Sequence, residues 1–165
     1  MSLRIALTAD PYIPVPPIFY GGIERVVYSL AAHLVARGHH VTLFAHPDSS
    51  VHGATLVPYG VPPHRGIVRR ARELAQVGGR LWRGRTNFDV IHSFGRLAAL
   101  APVLACRGVP KIQSYQRAVP WSGIRQAVCA AGESLQFTAC SASMFIGHAV
   151  GSKFGRWRAI FNGVD

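Results

Sequence analysis

The feature that most constrains the fold is an alternation of short apolar runs with a long helical period across residues 4–45. Arg4 to Ala9 is an apolar run of the length expected for a strand buried on both faces. A Pro-rich loop follows from Pro11 to Pro17, and then Gly21-Gly22. From Ile23 the period changes: Val26, Val27, Leu30, Ala31, Leu34 and Val35 recur at helical spacing and stop at Arg37-Gly38. Val41 to Ala45 is again strand-like. A strand, loop, helix, strand order is a βαβ unit, and it predicts a parallel sheet.

The alternation continues to the end of the chain. Strands are predicted at Ala54 to Val57, Phe88 to Ile91, Val109 to Gln113, Gln136 to Cys140 and Trp157 to Phe161. Helices are predicted at Ile67 to Leu81, Leu97 to Cys106, Ile124 to Ala131 and Ala142 to Val150, with Gly78-Gly79 ending or kinking the first of these. No internal repeat or low-complexity segment interrupts the pattern. The expectation is one doubly wound α/β domain, and 165 residues suit a single core.

The formal charge of +11 comes from sixteen Arg and two Lys against seven acids, and it implies an anionic partner: phosphates, a lipid surface or nucleic acid. The longest apolar runs fall short of a membrane span. The N-terminal run lacks the basic leader and cleavage site of a signal peptide, so the expected location is cytoplasmic. Cys106, Cys129 and Cys140 are odd in number and lack metal-ligand spacing, which reads as reduced thiols. The histidines show no metal pair either, and no metal is expected.

Ligands of open parallel sheets bind beyond the carboxyl ends of the strands, so the loops at 10–22, 46–53, 92–96, 114–120 and 141–143 carry the candidates. Gly21-Gly22 directly precedes a helix, where backbone can approach a phosphate closely and present N–H groups along the helix dipole. The same glycines also suit a plain tight turn. The run is neither Gly-x-Gly-x-x-Gly nor a Lys-containing phosphate loop, which disfavours a nicotinamide-binding domain and a P-loop nucleotidase. His92 is predicted to end a strand and face the crevice, where imidazole can donate, accept or exchange a proton; satisfying nearby backbone is its plainer role. Asp10 follows the first strand and is a candidate acceptor-orienting or basic group. Ser141 is a weaker candidate in a later loop. No Ser-His-Asp order or Gly-x-Ser-x-Gly elbow supports covalent hydrolase chemistry.

Four segments in sequence resemble the retaining GT-B glycosyltransferases of the group 1, or family 4, type. Pro16 to Val27 (PPIFYGGIERVV) looks like that family's first loop and helix, Gly38 to Ala45 like its second strand, Phe88 to His92 like its strand ending in His, and Phe161 to Asp165 like the lead into a second domain. The resemblance implies a Rossmann-like domain over 1–160, the N-terminal half of a GT-B fold, with 161–165 beginning a linker to a C-terminal domain. It implies transfer of a sugar from a nucleotide-diphosphate sugar to a glycan, lipid or small-molecule acceptor, with retention and without a metal. Gly21 and Gly22 then approach the donor diphosphate. His92 and Gln116 take the catalytic positions, and Asp10, Ser93, Tyr115, Arg117 and Ser141 contact the acceptor. Many relatives carry His where Gln116 stands, and a polar residue or His where Phe94 stands; Gln hydrogen-bonds but does not titrate. Alone, this half is expected to be inert or nearly so. Cell-envelope or polysaccharide synthesis is the expected setting.

Residues 66–85 add a basic helix. Arg69, Arg70, Arg72, Arg80, Trp82, Arg83 and Arg85 are expected either to meet anionic lipid peripherally or to form an ordinary surface helix, with Ile67, Leu74, Val77, Leu81 and Trp82 available on the opposite side. The competing readings are a stand-alone glycan- or partner-binding module and nucleic-acid binding. For nucleic acid, no motif with interleaved aromatics gives support.

Overall fold

In a computed structural model of the chain, residues 1–60, 67–148 and 153–163 are described. Among them the strands are β1 (Arg4–Thr8), β2 (His40–Ala45), β3 (Thr55–Pro58), β4 (Val90–Ser93), β5 (Lys111–Tyr115), β6 (Leu135–Ala139) and β7 (Arg156–Ala159). The helices are α1 (Gly22–Ala36), α2 (Ile67–Gly84) and α3 (Ile124–Ala131), with 3-10 turns at Arg85–Asn87, Leu97–Val103, Gly132–Ser134 and Ala142–Met144. The strands form one parallel sheet in the order β3-β2-β1-β4-β5-β6-β7. The order reverses between β1 and β4, where crossovers leave to opposite sides and open a crevice at the carboxyl ends.

The inner strands β1, β2, β5 and β6 bury both faces, which is why their apolar residues run together, whereas the edge strands β3 and β7 stay partly exposed. Ile5, Leu7, Val41 and Leu43 meet Val27 and Ala31 of α1 on one face. Ala6, Phe44, Ile91 and Phe137 face the other way, against Val77 and Leu81 of α2, Ala99, Leu100 and Val103, and the Ile124, Ala127 and Ala131 stripe of α3. Truncating a fully buried leucine such as Leu81 in such a core costs about 2–5 kcal/mol.

The structure corrects several expectations. The fourth strand runs Val90–Ser93 rather than Phe88 to Ile91, so His92 lies within β4 rather than after it. Helix α2 is not ended by Gly78-Gly79 and runs on to Gly84. Gly78 is instead a contact point, since a Cβ there would lie 2.8 Å from Pro102 Cγ and 3.1 Å from the Ala99 carbonyl. The segment after Arg96 is a 3-10 helix, not α, and contains Pro102, which cannot donate to an α-helical ladder. After Ser141 only a 3-10 turn forms, because Gly147 adopts φ +81° and breaks the predicted helix; Ala149 and Val150 lie outside the described residues. The last strand stops at Ala159, and Phe161 to Gly163 belong to neither helix nor strand.

Candidate functional site

The sheet places a cavity of about 410 Å³ at the carboxyl end of β4 and β5, beside the start of α1. Its wall is built from three stretches: Phe94 to Ala98 after β4, Ser114 to Ala118 at the end of β5, and Ile23 of α1 with Pro120 and Ser122. The size suits a small ligand. Of the residues singled out by sequence, Tyr115, Gln116 and Arg117 line it. The Tyr115 hydroxyl and Gln116 Oε1 are enclosed and have no hydrogen-bond partner among the described residues. Burial pushes the Tyr115 phenol well above its ordinary range, so it stays protonated and able to donate.

Gly21 and Gly22 stand at the N-terminus of α1, next to the cavity residue Ile23. The loop leading to them is pinned: the Val15 amide donates to Ser49 Oγ at 2.9 Å, and the Ser50 amide to the Val15 carbonyl at 2.8 Å. The two glycines differ. A Cβ on Gly21 would press within 2.7 Å of Pro17 and 2.9 Å of Glu24 Oε2, whereas one on Gly22 meets nothing within 4 Å. Gly21 is thus a packing requirement, and Gly22 faces open space at the positive end of the helix dipole. The buried Glu24 carboxyl accepts from its own backbone amide, and burial raises its pKa, with Asp10 adding to that and Arg117 opposing.

Asp10 sits at the crevice edge, 3.4 Å from Arg117 Nη2. Burial raises its pKa, opposed by Arg96 and Arg117. The loop carrying Asp10 is fastened to α2, where the Tyr12 hydroxyl donates to Glu73 Oε2 at 2.7 Å and Arg69 Nε to Glu73 Oε1 at 2.8 Å.

His92 is not on the cavity wall. Its ring stacks on Phe94 with centroids 4.5 Å apart, and Nε2 lies 2.7 Å from Ser114 Oγ, itself 2.5 Å from Thr138 Oγ1. An edge of the side chain reaches the surface, yet the ring is enclosed, and burial pulls its pKa down from 6.5 to about 4. His92 is therefore a neutral hydrogen-bonding group at neutral pH, joined to the cavity through Ser114. Phe94, which stands where many relatives carry a polar residue or His, lines the cavity while also packing on the core.

Ser93 and Ser141 are not brought to the cavity. Ser93 is fully buried on the opposite sheet face from His92, in register with Thr8 and Gln113. Ser141 precedes the Ala142–Met144 turn, where its Oγ accepts from the Ser143 amide at 3.3 Å. Sequence reasoning missed Ile23, Arg96, Ser114 and Ser122. Both Ser114 and Arg96 stood in loops already singled out as candidates, 114–120 and 92–96.

The basic helix divides into two sets. Arg69 pairs with Glu73, Arg80 donates to the Pro58 carbonyl, and the Arg85 guanidinium lies 4.0 Å over the Trp82 ring. Arg70, Arg72 and Arg83 face solvent. Leu74, Val77 and Leu81 pack inward as expected, but Ile67 (85% exposed) and Trp82 (43% exposed) do not. No helix among the described residues is long and apolar enough to cross a membrane, and no group of His, Cys, Asp or Glu there could hold a metal ion.

A family model described as glycosyltransferase family 4 matches residues 20–165. The fold is similar to a glycosyltransferase from Rickettsia africae, with TM-score 0.66 and 13% identity over 99% of this chain and 44% of the other. It is similar to Anabaena Alr3699/HepE, solved with UDP and glucose, with TM-score 0.64 and 16% identity over 99% and 45%. It also resembles WaaG, a glycosyltransferase involved in lipopolysaccharide biosynthesis, with TM-score 0.61 and 16% identity over 94% and 44%. The chain spans less than half the length of these structures, and at such identities the likeness is one of fold, the Rossmann-like parallel sheet of a GT-B half. No curated protein matches the sequence.

Proposed function

The chain belongs to glycosyltransferase family 4, and we propose that it forms the acceptor-side half of a site that transfers a sugar from a nucleotide-diphosphate sugar. The observation that carries the reading is the cavity at the carboxyl ends of β4 and β5 with the open N-terminus of α1 at its edge. In this reading the Gly22 and Ile23 amides, on the positive helix end, hydrogen-bond the leaving diphosphate, and no metal is needed to offset its charge. The acceptor occupies the cavity. Gln116, on the wall, orients sugar hydroxyls there, and Arg117, held against Asp10, closes the rim. Ser93 and Ser141 drop out of the acceptor set because neither reaches the cavity.

Retention follows from front-face substitution. The acceptor oxygen bonds to the anomeric carbon from the side on which the diphosphate leaves, and a diphosphate oxygen takes the acceptor's proton. No titrating side chain is required, which accommodates both Gln116 and the neutral His92. His92 serves by holding Ser114 on the cavity wall. A nucleotide-gripping domain completes the cleft, and these residues alone bind without turnover. Calorimetric titration with nucleotide-diphosphate sugars tests the reading: binding that weakens in Gly22→Ala supports it, and binding indifferent to that substitution defeats it.

The same proposal puts the protein in the cytoplasm, in cell-envelope or polysaccharide synthesis, the setting in which WaaG takes part in lipopolysaccharide biosynthesis. It also places the exposed stripe of α2, with Val68, Arg72, Trp82 and Arg83, against anionic lipid. Vesicle co-sedimentation that ignores anionic lipid content would refute that attachment.

A further inference from the structure

Beside the 410 Å³ cavity lies a smaller hollow, lined by Asp10, Tyr12, Tyr59, Arg70, Glu73 and Arg96 among others. Among the described residues, Arg96 is the one shared by the two walls. Its charged end is turned to the smaller hollow, for the guanidinium lies over the face of Tyr12, 6.0 Å from the ring centroid. The backbone before it packs against the same carboxylate, since a Cβ on Gly95 would lie 3.4 Å from Asp10 Oδ1. Several groups of the hollow are anchored elsewhere. Tyr12 donates to Glu73 Oε2 at 2.7 Å, Arg69 Nε donates to Glu73 Oε1 at 2.8 Å, and Tyr59 donates to the Ala9 carbonyl.

Asp10 reaches out of the hollow to Arg117 Nη2, but that contact is 3.4 Å long and the Arg117 side chain is 70% exposed. An ion pair so open to water fixes little by itself. Burial raises the pKa of Asp10, Tyr12 and Tyr59, and Arg96 opposes the rise in all three; at Asp10 it outweighs Arg117. Glu73 on α2 pushes Asp10 the other way, Glu24 on α1 is raised by Asp10, and Arg70 is exposed at the hollow's edge. We propose that Arg96 is a positioning residue of the crevice: set over Tyr12 in the hollow shared by Asp10 and Glu73, it holds the Asp10 carboxylate in place, and Asp10 in turn holds Arg117 at the cavity rim. The hollow has room for about one water, 10 Å³, and its polar groups suit a water that joins the guanidinium to the carboxylates. This rests on the transferase reading, in which Arg117 closes the rim, and Arg96 acts there through Asp10 rather than by touching a substrate.

The test follows the Asp10 side-chain carboxyl carbon by NMR through a pH titration of the chain. Removing a cation favours the neutral carboxyl, so Arg96→Gln is expected to move the Asp10 midpoint to higher pH, and Arg96→Lys, which keeps the charge, to move it less. Arg117→Gln is expected to move it less than Arg96→Gln, although Arg117 makes the direct contact. The Arg117 backbone amide resonance should shift in Arg96→Gln and return towards the wild-type position in Arg96→Lys. An unchanged Asp10 midpoint in Arg96→Gln overturns the inference, as does a larger shift in Arg117→Gln or an Arg117 amide that ignores Arg96→Gln. A role in packing alone would lower thermal stability without ordering the midpoints by charge, and that outcome overturns it too. A second arm needs no variant and stands even if the substitutions prevent folding. Crystal diffraction from the wild type should show the guanidinium over Tyr12, with an ordered water bonded to it and to Asp10 or Glu73; a guanidinium directed out of that hollow overturns the inference. Neither arm uses a nucleotide sugar, so these failures defeat this inference alone. A nucleotide-sugar titration that leaves Gly22 unperturbed defeats the transferase reading, and the order of the Asp10 midpoints is untouched by it.

Discussion

Acid should weaken this fold through one enclosed imidazole. The His92 pKa falls from 6.5 to about 4 on folding, because its ring is buried between Phe94 and Ser114. Above the unfolded value neither state binds the proton. Between the two values the unfolded chain binds it and the folded chain does not, so stability drops as pH falls. Below about 4 both states are protonated and the loss is complete. At roughly 1.4 kcal/mol per tenfold difference, the full window is worth about 3 kcal/mol, of which about 2 kcal/mol appears between pH 7 and pH 5. Asp10 and Glu24 have raised folded pKa values, and protonating them acts in the opposite sense at lower pH. The comparison is therefore made against His92→Gln, which can keep a hydrogen bond to Ser114 but does not titrate. Urea denaturation at the two pH values should show the wild type losing about 2 kcal/mol more than the variant. Equal losses would refute the reasoning and return His92 to the role of a proton-exchanging group.

Three further substitutions separate packing from function. Gly22→Ala should hold or gain up to about 1 kcal/mol in thermal melts, since a helix interior prefers Ala, while weakening nucleotide-sugar binding; Gly21→Ala should lose about 1–3 kcal/mol through its clash with Pro17 and Glu24. Gly78→Ala should also destabilise by about 1–3 kcal/mol in denaturant titration, because its Cβ meets Pro102 and the Ala99 carbonyl; a neutral result would mean α2 can slide on the 3-10 helix. Lys111 is almost fully buried and its Nζ donates to the Cys106 and Val109 carbonyls at 2.6 and 2.8 Å. Lys111→Ala leaves both carbonyls unpaired and should cost at least about 1–3 kcal/mol in thermal melts, without changing ligand affinity.

The order of the elements was legible in the sequence because strands buried on both faces stand out as apolar runs and α1 and α3 carry helical stripes. The ends of elements were less so. Gly78-Gly79 looked like a helix stop, yet its meaning lies in Pro102, a neighbour the sequence places over twenty residues away. The 3-10 geometry after Arg96 follows from packing around Pro102, which a periodicity search cannot weigh. The α1 glycines and Tyr115 to Arg117 could be found because they follow strands. Ser93 shows where that rule fails: one residue from His92, it points to the other face, so the side of a site depends on register and not on loop membership.

The most direct test of the central claim is to follow backbone amide resonances while titrating the chain with nucleotide-diphosphate sugars to millimolar concentration. The account predicts shifts concentrated at Gly22 and Ile23 and along Gln116 and Arg117, with the Gly22 effect lost in Gly22→Ala. Shifts confined to the far side of the sheet, or none at these amides, would contradict it.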